Sequence, residues 1–268
     1  MNVFFKLLFF FLLTFSSIGA SEFYAILIGD TSEKTIADLI KSDIKHMKKE
    51  VRLIAKQTNL HLNLVVLQGS RLTLENLRTV FDQLHPGPDD TVFFFQSSHG
   101  FRTDEKKGQW PILFFNAWNV GIDFESINAL LLSKKPRLLV SIVNACNSVM
   151  PKELMHSGAP KKLIYRSKTV IENQTEVYRQ LFLHSSGAVI ASSSKPGQES
   201  FGIDSEGSFF ATSFLTTIKK IVDGEVYINW HTVMNEVVRD TKWRAKSCGC
   251  TQRPQFMILD MCDKGLRK

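Results

Sequence analysis

Short apolar runs recur along this chain, and they do not alternate with polar positions. Phe23-Tyr-Ala-Ile-Leu-Ile28 is continuous and stops at Gly29-Asp30. Val92-Phe-Phe-Phe95 and the stretch 138–143 have the same character. A strand that is apolar at successive positions buries both faces, as in a parallel sheet covered by helices on each side. The segments between supply those helices. Ile36, Leu39, Ile40, Ile44, Met47, Val51 and Ile54 fall at three- and four-residue steps over about 35–57, an amphipathic helix. Thr73 reads as the N-cap of a second helix with the stripe Leu74, Leu77, Phe81 and Leu84, which His85-Pro-Gly-Pro-Asp-Asp90 breaks.

The rest continues the alternation. Further strands are expected at 62–67, 188–191 and 256–259, and helices at 124–132, 177–183, 209–221 and 231–238. Residues 101–109 read as a loop and 111–118 as a short extended excursion. Residues 149–173 show no clear period and hold Pro151, Gly158 and Pro160. Strand-helix alternation implies parallel pairing with crossover helices. The expected fold is α/β: a three-layer α/β/α sandwich with a mostly parallel sheet of about six strands. No linker divides residues 21–268, so one domain is expected.

Residues 1–20 stand apart. Met1-Asn2-Val3 and Lys6 precede the apolar run Leu7-Leu-Phe-Phe-Phe-Leu-Leu-Thr-Phe15, and small residues follow at Ser16, Ser17, Gly19 and Ala20. This is the layout of a secretory signal peptide, with an uncleaved anchor as the alternative. The run is short for a membrane span. The expectation is export, to a periplasm or to the outside, with no membrane contact beyond this segment. The formal charge is +7, but the basic residues are scattered. They point to a solvated basic surface and not to a nucleic-acid partner. Of the four cysteines, Cys262 has Cys248 or Cys250 as a disulfide partner in an oxidising compartment. A three-thiol metal site is the weaker alternative, because no fourth ligand is apparent.

Neither reading of those cysteines claims Cys146. It lies in Ser141-Ile-Val-Asn-Ala-Cys-Asn-Ser148, where an apolar run gives way to small polar residues. Upstream, Thr91-Val-Phe-Phe-Phe-Gln-Ser-Ser-His-Gly100 ends the same way around His99. Ligands meet an open α/β sheet at the carboxyl ends of its strands. A cysteine and a histidine delivered there suggest a thiol nucleophile and its proton-transfer partner.

These two segments resemble the histidine and cysteine boxes of the caspase-like cysteine peptidases, nearest to the metacaspases. The separation is 146 − 99 = 47 residues, against about 50 in caspases. Tyr24-Ala-Ile-Leu-Ile-Gly29 resembles the family's first strand. Ala188-Val-Ile-Ala-Ser-Ser-Ser194, then Glu199 and Gly207-Ser-Phe-Phe-Ala-Thr212, resemble its fifth strand and following helix. The resemblance covers roughly 22–262. It implies an endopeptidase acting on a protein or peptide substrate, with Cys146 attacking the peptide carbonyl and His99 transferring protons. It also implies an oxyanion hole from the backbone N–H groups of Gly100 and Cys146. Departures are visible: Asn144 stands where metacaspases usually carry Asp, Ser98 replaces a glycine before His99, and Val149 replaces another after Ser148.

Asp30 and Asn144 are candidates for the wall of the substrate pocket, and the departure at Asn144 leaves an Arg or Lys preference open. An Asx turn is the alternative for Asp30. Ser192 and Ser193 are further candidate lining residues. No cofactor is expected. Asp204 and Glu206 raise calcium, which some metacaspases use, although a solvated loop is the simpler reading. The basic stretch holding Lys152, Lys161, Lys162, Arg166 and Lys168 matches where family members cleave themselves. The alternative function is a non-catalytic caspase-fold protein that serves as a secreted binding or scaffold module. The oligomeric state is not legible.

Overall fold

The structure, a computed structural model, describes residues 21–116, 118–149, 174–221 and 228–263. The expected signal segment and the basic self-cleavage stretch lie outside the described residues. The first half of the chain runs β1 (Glu22–Gly29), α1 (Ala37–Thr58), β2 (His61–Gln68), α2 (Leu74–Asp82) and β3 (Thr91–Ser97). After it come β4 (His99–Phe101), β5 (Ile112–Phe115), β6 (Val120–Asp123), α3 (Phe124–Ser133) and β7 (Leu138–Asn144). The second half holds α4 (Gln174–Arg179), β8 (Ser185–Ser192), β9 (Gly202–Ile203), β10 (Gly207–Ser208), α5 (Phe209–Ile221), α6 (Trp230–Ser247) and β11 (Gln255–Asp263).

Six strands form one sheet in the order β2-β1-β3-β7-β8-β11. All pairs are parallel except β11 on β8. The continuous apolar runs serve two cores at once, because successive side chains of a strand point to opposite faces. Phe23, Leu27, Phe93, Phe95, Val140 and Ile142 enter the core under α1, α4, α5 and α6. Ile26, Ile28, Val92, Phe94, Leu139 and Val143 enter the one under α2 and α3. The expected three-layer α/β sandwich is therefore observed. Strand order reverses between β1 and β3: β2 lies outside β1, and β7 lies beyond β3. The carboxyl ends of strands beside such a switch point form the crevice where this class of sheet places its ligands.

Thr73 caps α2, accepting from Asn76 N–H at 3.1 Å, as its sequence position implies. Two expectations need revision. The segment 99–123 is not a simple loop and excursion but a three-stranded antiparallel sheet, β4-β5-β6. Its strands are three or four residues long, too short for period-2 alternation to register. Helix α6 runs nine residues past its expected end at Val238. Its core stripe there includes buried Arg244, whose Nε donates to Asp240 Oδ2 at 2.8 Å, so the apolar signal stops before the helix does.

α4 is tied to α1 by a buried polar pair: Tyr178 Oη donates to Glu50 Oε1 at 2.5 Å. Burial raises the Glu50 carboxyl, and the Tyr178 hydrogen bond opposes that rise. Removing a donor from a buried carboxylate leaves it unsatisfied, at a cost of about 1–3 kcal/mol. Tyr178→Phe is expected to lose about that much stability near neutral pH in denaturant melts. It raises the folded-state value of Glu50 further, so the deficit shrinks as acid neutralises the carboxyl.

Candidate active site

The site begins with main chain. In the parallel register, Ser97 at the end of β3 lies opposite Asn144 at the end of β7. The ladder then continues beyond both strands. Ser98 N–H donates to Asn144 O at 3.2 Å, and Arg102 N–H to Ser148 O at 2.9 Å. Residues 97–102 thus run beside residues 144–149. Gly100 is where the two chains press closest. A Cβ on it would sit 2.5 Å from Cys146 O, 2.6 Å from Ala145 Cβ and 3.3 Å from Cys146 N. Only a residue without a side chain permits that approach.

His99 opens β4, where it pairs with Phe114 of β5, and it is half-buried. Burial lowers its imidazole below the usual histidine value, opposed by the negative charges of Glu33 and Asp30. Cys146 follows β7 by two residues and keeps partial exposure. Ser200 N–H donates to its Sγ at 3.3 Å, and the sulfur lies 3.9 Å from Ser200 O. Burial pushes the thiol up to about 11; the Ser200 N–H works against this and the Glu199 charge adds to it. Both shifts favour neutral forms, so the resting site holds a thiol and an imidazole, not an ion pair.

Beneath these two groups is a layer of buried polar side chains. Asn144 Nδ2 donates to Ser97 Oγ at 3.1 Å and to Asp43 Oδ2 at 3.3 Å, while its Oδ1 accepts from Ser200 Oγ at 2.7 Å. Gln252 Nε2 donates to Ser193 O at 3.0 Å, and its Oε1 accepts from Phe201 N–H at 2.9 Å. Asn147 is held by Arg102 Nη1 at 3.2 Å and donates from Nδ2 to Gln109 O at 2.8 Å.

The sequence profile of the caspase domain matches residues 22–264. The chain belongs to the caspase family. Its fold is similar to the crystal structure of caspase-1 from Spodoptera frugiperda, with a TM-score of 0.53. That match is 14% identical and covers 89% of this chain and 87% of the other. Identity that low speaks for the fold alone. Among curated proteins no sequence matches. Family membership supports a cysteine-peptidase domain in general, and a peptidase of this family would act on protein substrates.

In this caspase-family chain the strand ends bring His99, Gly100, Asn144 and Cys146 to neighbouring positions on the backbone. Asp30 lies nearby after β1, its N–H donating to Ser97 O at 3.1 Å. Its carboxylate is already engaged: Oδ1 accepts from Ser32 N–H and Oγ, and Oδ2 from Asn116 N–H at 2.7 Å. That is the turn geometry named as its alternative role. Ser192 and Ser193 are fully buried. Ser193 Oγ both donates to Ala145 O and accepts from Ala145 N–H, each at 3.0 Å. It therefore grips the peptide before Cys146 instead of facing solvent.

Asp204 and Glu206 lie in the turn between β9 and β10. Among the described residues no three acidic, histidine or cysteine side chains gather in one group that could hold a metal. Sequence reasoning passed over Asp43, Ser200, Gln252, Asn147 and Arg102. Asp43 had a signal, a carboxylate on the apolar stripe of α1. The others are polar residues in loops, with nothing local to set them apart.

Gly100→Ala is expected to push the two strand ends apart. Overpacking of this kind costs about 1–3 kcal/mol, read in denaturant melts. Iodoacetamide alkylation of Cys146 in the folded variant should also change, because the peptide carrying the thiol must shift.

Proposed function

We propose that the chain is a cysteine endopeptidase in which Cys146 is the nucleophile and His99 its proton-transfer partner. The observation that carries this reading is the close approach of Gly100 to the Cys146 peptide, which seats the histidine turn against the thiol turn. His99 takes the thiol proton as Sγ attacks the substrate carbonyl, since the resting pair is neutral. The imidazolium then donates to the leaving amine, and His99 helps water to release the acyl group. The Cys146 N–H carries no hydrogen bond among the described residues. It is available to the tetrahedral oxyanion, with the Gly100 N–H as its companion.

Substrate choice follows from what surrounds the thiol. Asn144 brings no full charge, and Asp30 has both carboxylate oxygens in internal hydrogen bonds. A preference for Arg or Lys before the cut therefore rests on the residual field of Asp30 and Glu33 at the crevice. The chain is exported by its first twenty residues and works without a cofactor. The chain cleaves itself in the basic stretch that holds Lys152, Lys161, Lys162, Arg166 and Lys168.

A second reading keeps the fold without the chemistry, as a binding or scaffold module. The raised thiol favours it, because a thiolate is scarce at neutral pH. A thiol-reactive peptide probe and a mixed peptide library separate the two. The peptidase labels in the wild type and in Cys248→Ala but not in Cys146→Ala, and it turns over peptides. No labelling and no turnover leaves the scaffold. His99→Ala should slow turnover by about 10²- to 10⁴-fold. In the free protein, alkylation of Cys146 should keep rising with pH beyond the ordinary thiol range and level off only near 11.

A further inference from the structure

Asp43 is a carboxylate where the helix period calls for an apolar side chain. It lies on the buried stripe of α1 with Ile40, Ile44 and Met47, and it is 1% exposed. Its Oδ1 accepts from Ser208 N–H at 2.7 Å and Ser208 Oγ at 3.2 Å. Its Oδ2 accepts from Ser97 Oγ at 2.8 Å and Asn144 Nδ2 at 3.3 Å. Gly207 makes room for it, since a Cβ there would meet Oδ1 at 2.5 Å.

These donors come from three separate segments. Ser97 is two residues before His99, and Asn144 two before Cys146. Ser208 closes β10 at the start of α5. Asn144 passes the contact on: it accepts from Ser200 Oγ, and Ser200 N–H holds the Cys146 sulfur. One carboxylate thus bonds directly to the approaches of both site residues, and through one further link to the loop that cups the thiol.

Its energetics argue against a purely structural role. Burial raises the carboxyl from 3.8 to about 6, opposed by the hydrogen bonds from Ser208 and Ser97. The folded value lies above the unfolded one. Ionised Asp43 therefore lowers folding stability above about pH 6, and the loss is relieved as pH falls toward 4. Its contacts on β3, β7 and β10 are all neutral. Titratable groups on the surrounding elements include Lys45, His46 and Glu50 on α1, Asp30 after β1, His99 on β4, Cys146 after β7, Asp204 and Glu206 before β10, and Lys219 on α5. None of them contributes to the shift. A buried carboxylate with a raised titration, hydrogen-bonded to the approaches of both site residues, is a candidate for a role in the site.

We infer that Asp43 is a positioning residue for the Cys146–His99 site, and that its ionised carboxylate holds the ends of β3 and β7 and the Ser200 loop in working register. This rests on the peptidase reading above. Protonation at Asp43 removes an acceptor facing Ser97 and Asn144, so turnover falls as pH drops through its titration.

Wild-type turnover of the peptide library is measured first. If there is none, the peptidase reading fails by itself, and the iodoacetamide alkylation rate of Cys146 replaces turnover in the comparisons. Asp43→Asn points an amide at the Asn144 amide and breaks that link. It is expected to melt no lower than wild type near neutral pH, yet to lose about tenfold or more in kcat/KM. Asp43→Asn with Asn144→Asp exchanges amide and carboxylate, restores the hydrogen bond and keeps the charge, and it should recover turnover. Wild-type kcat/KM in folded Asp43→Asn, or a folded double variant no better than the single one, overturns the inference. Should Asp43→Asn not fold, Ser97→Ala decides. It removes one donor, raises the carboxyl and moves the acid limb of kcat/KM up by about half a pH unit or more. An unmoved limb overturns the inference.

Discussion

β3 and β7 lie side by side in parallel, with Ser97 opposite Asn144, and both chains leave the sheet at that level. Everything at the site depends on this pairing. Side chains alternate along a strand, so slipping β7 by one residue would turn Asn144 and the Cys146 turn to the other face. The register is held from below by two cores. Phe93, Phe95, Val140 and Ile142 face one helical layer while Val92, Phe94, Leu139 and Val143 face the other. It is held from above by main-chain bonds that outlast the strands, through Ser98 and Arg102. Gly100 is what lets the two exits close on each other.

Under the thiol the interior changes character, from hydrocarbon to a satisfied polar layer. Ser97, Asn144, Ser193, Ser208 and Gln252 are all buried, and all are hydrogen-bonded. In a low-dielectric interior such a network is rigid when complete and expensive when one member is missing. That layer fixes where the Cys146 peptide points. The same dryness sets the protonation state, raising the thiol and lowering the imidazole. Positioning and electrostatics at this site have one origin, the burial of the strand ends.

Much of this was legible in one dimension. Apolar runs located all six strands of the main sheet, and a three-to-four-residue period located α1 and α2. The abrupt change from apolar to small polar residues marked both Cys146 and His99, because strands end where the buried layer ends. The β4-β5-β6 sheet was not legible as a sheet, since its strands are too short to carry a period. Asp30, Ser192 and Ser193 look from the sequence like pocket residues, yet the fold gives their polar atoms internal partners. A side chain's partners are set by contacts remote in sequence. Ser193 and Ala145 are forty-eight residues apart.

The sequence by itself determined the layers, the strand ends and the candidates for a reactive pair. Those depend on local hydrophobic patterning and on residue chemistry, which are written residue by residue. Only the tertiary structure decided that Gly100 abuts Cys146, that the thiol and imidazole rest neutral, and that a carboxylate from α1 lies beneath both. Asp43 and Asn144 stand 101 residues apart. Their meeting is a consequence of how α1 crosses the sheet, and no local pattern encodes it.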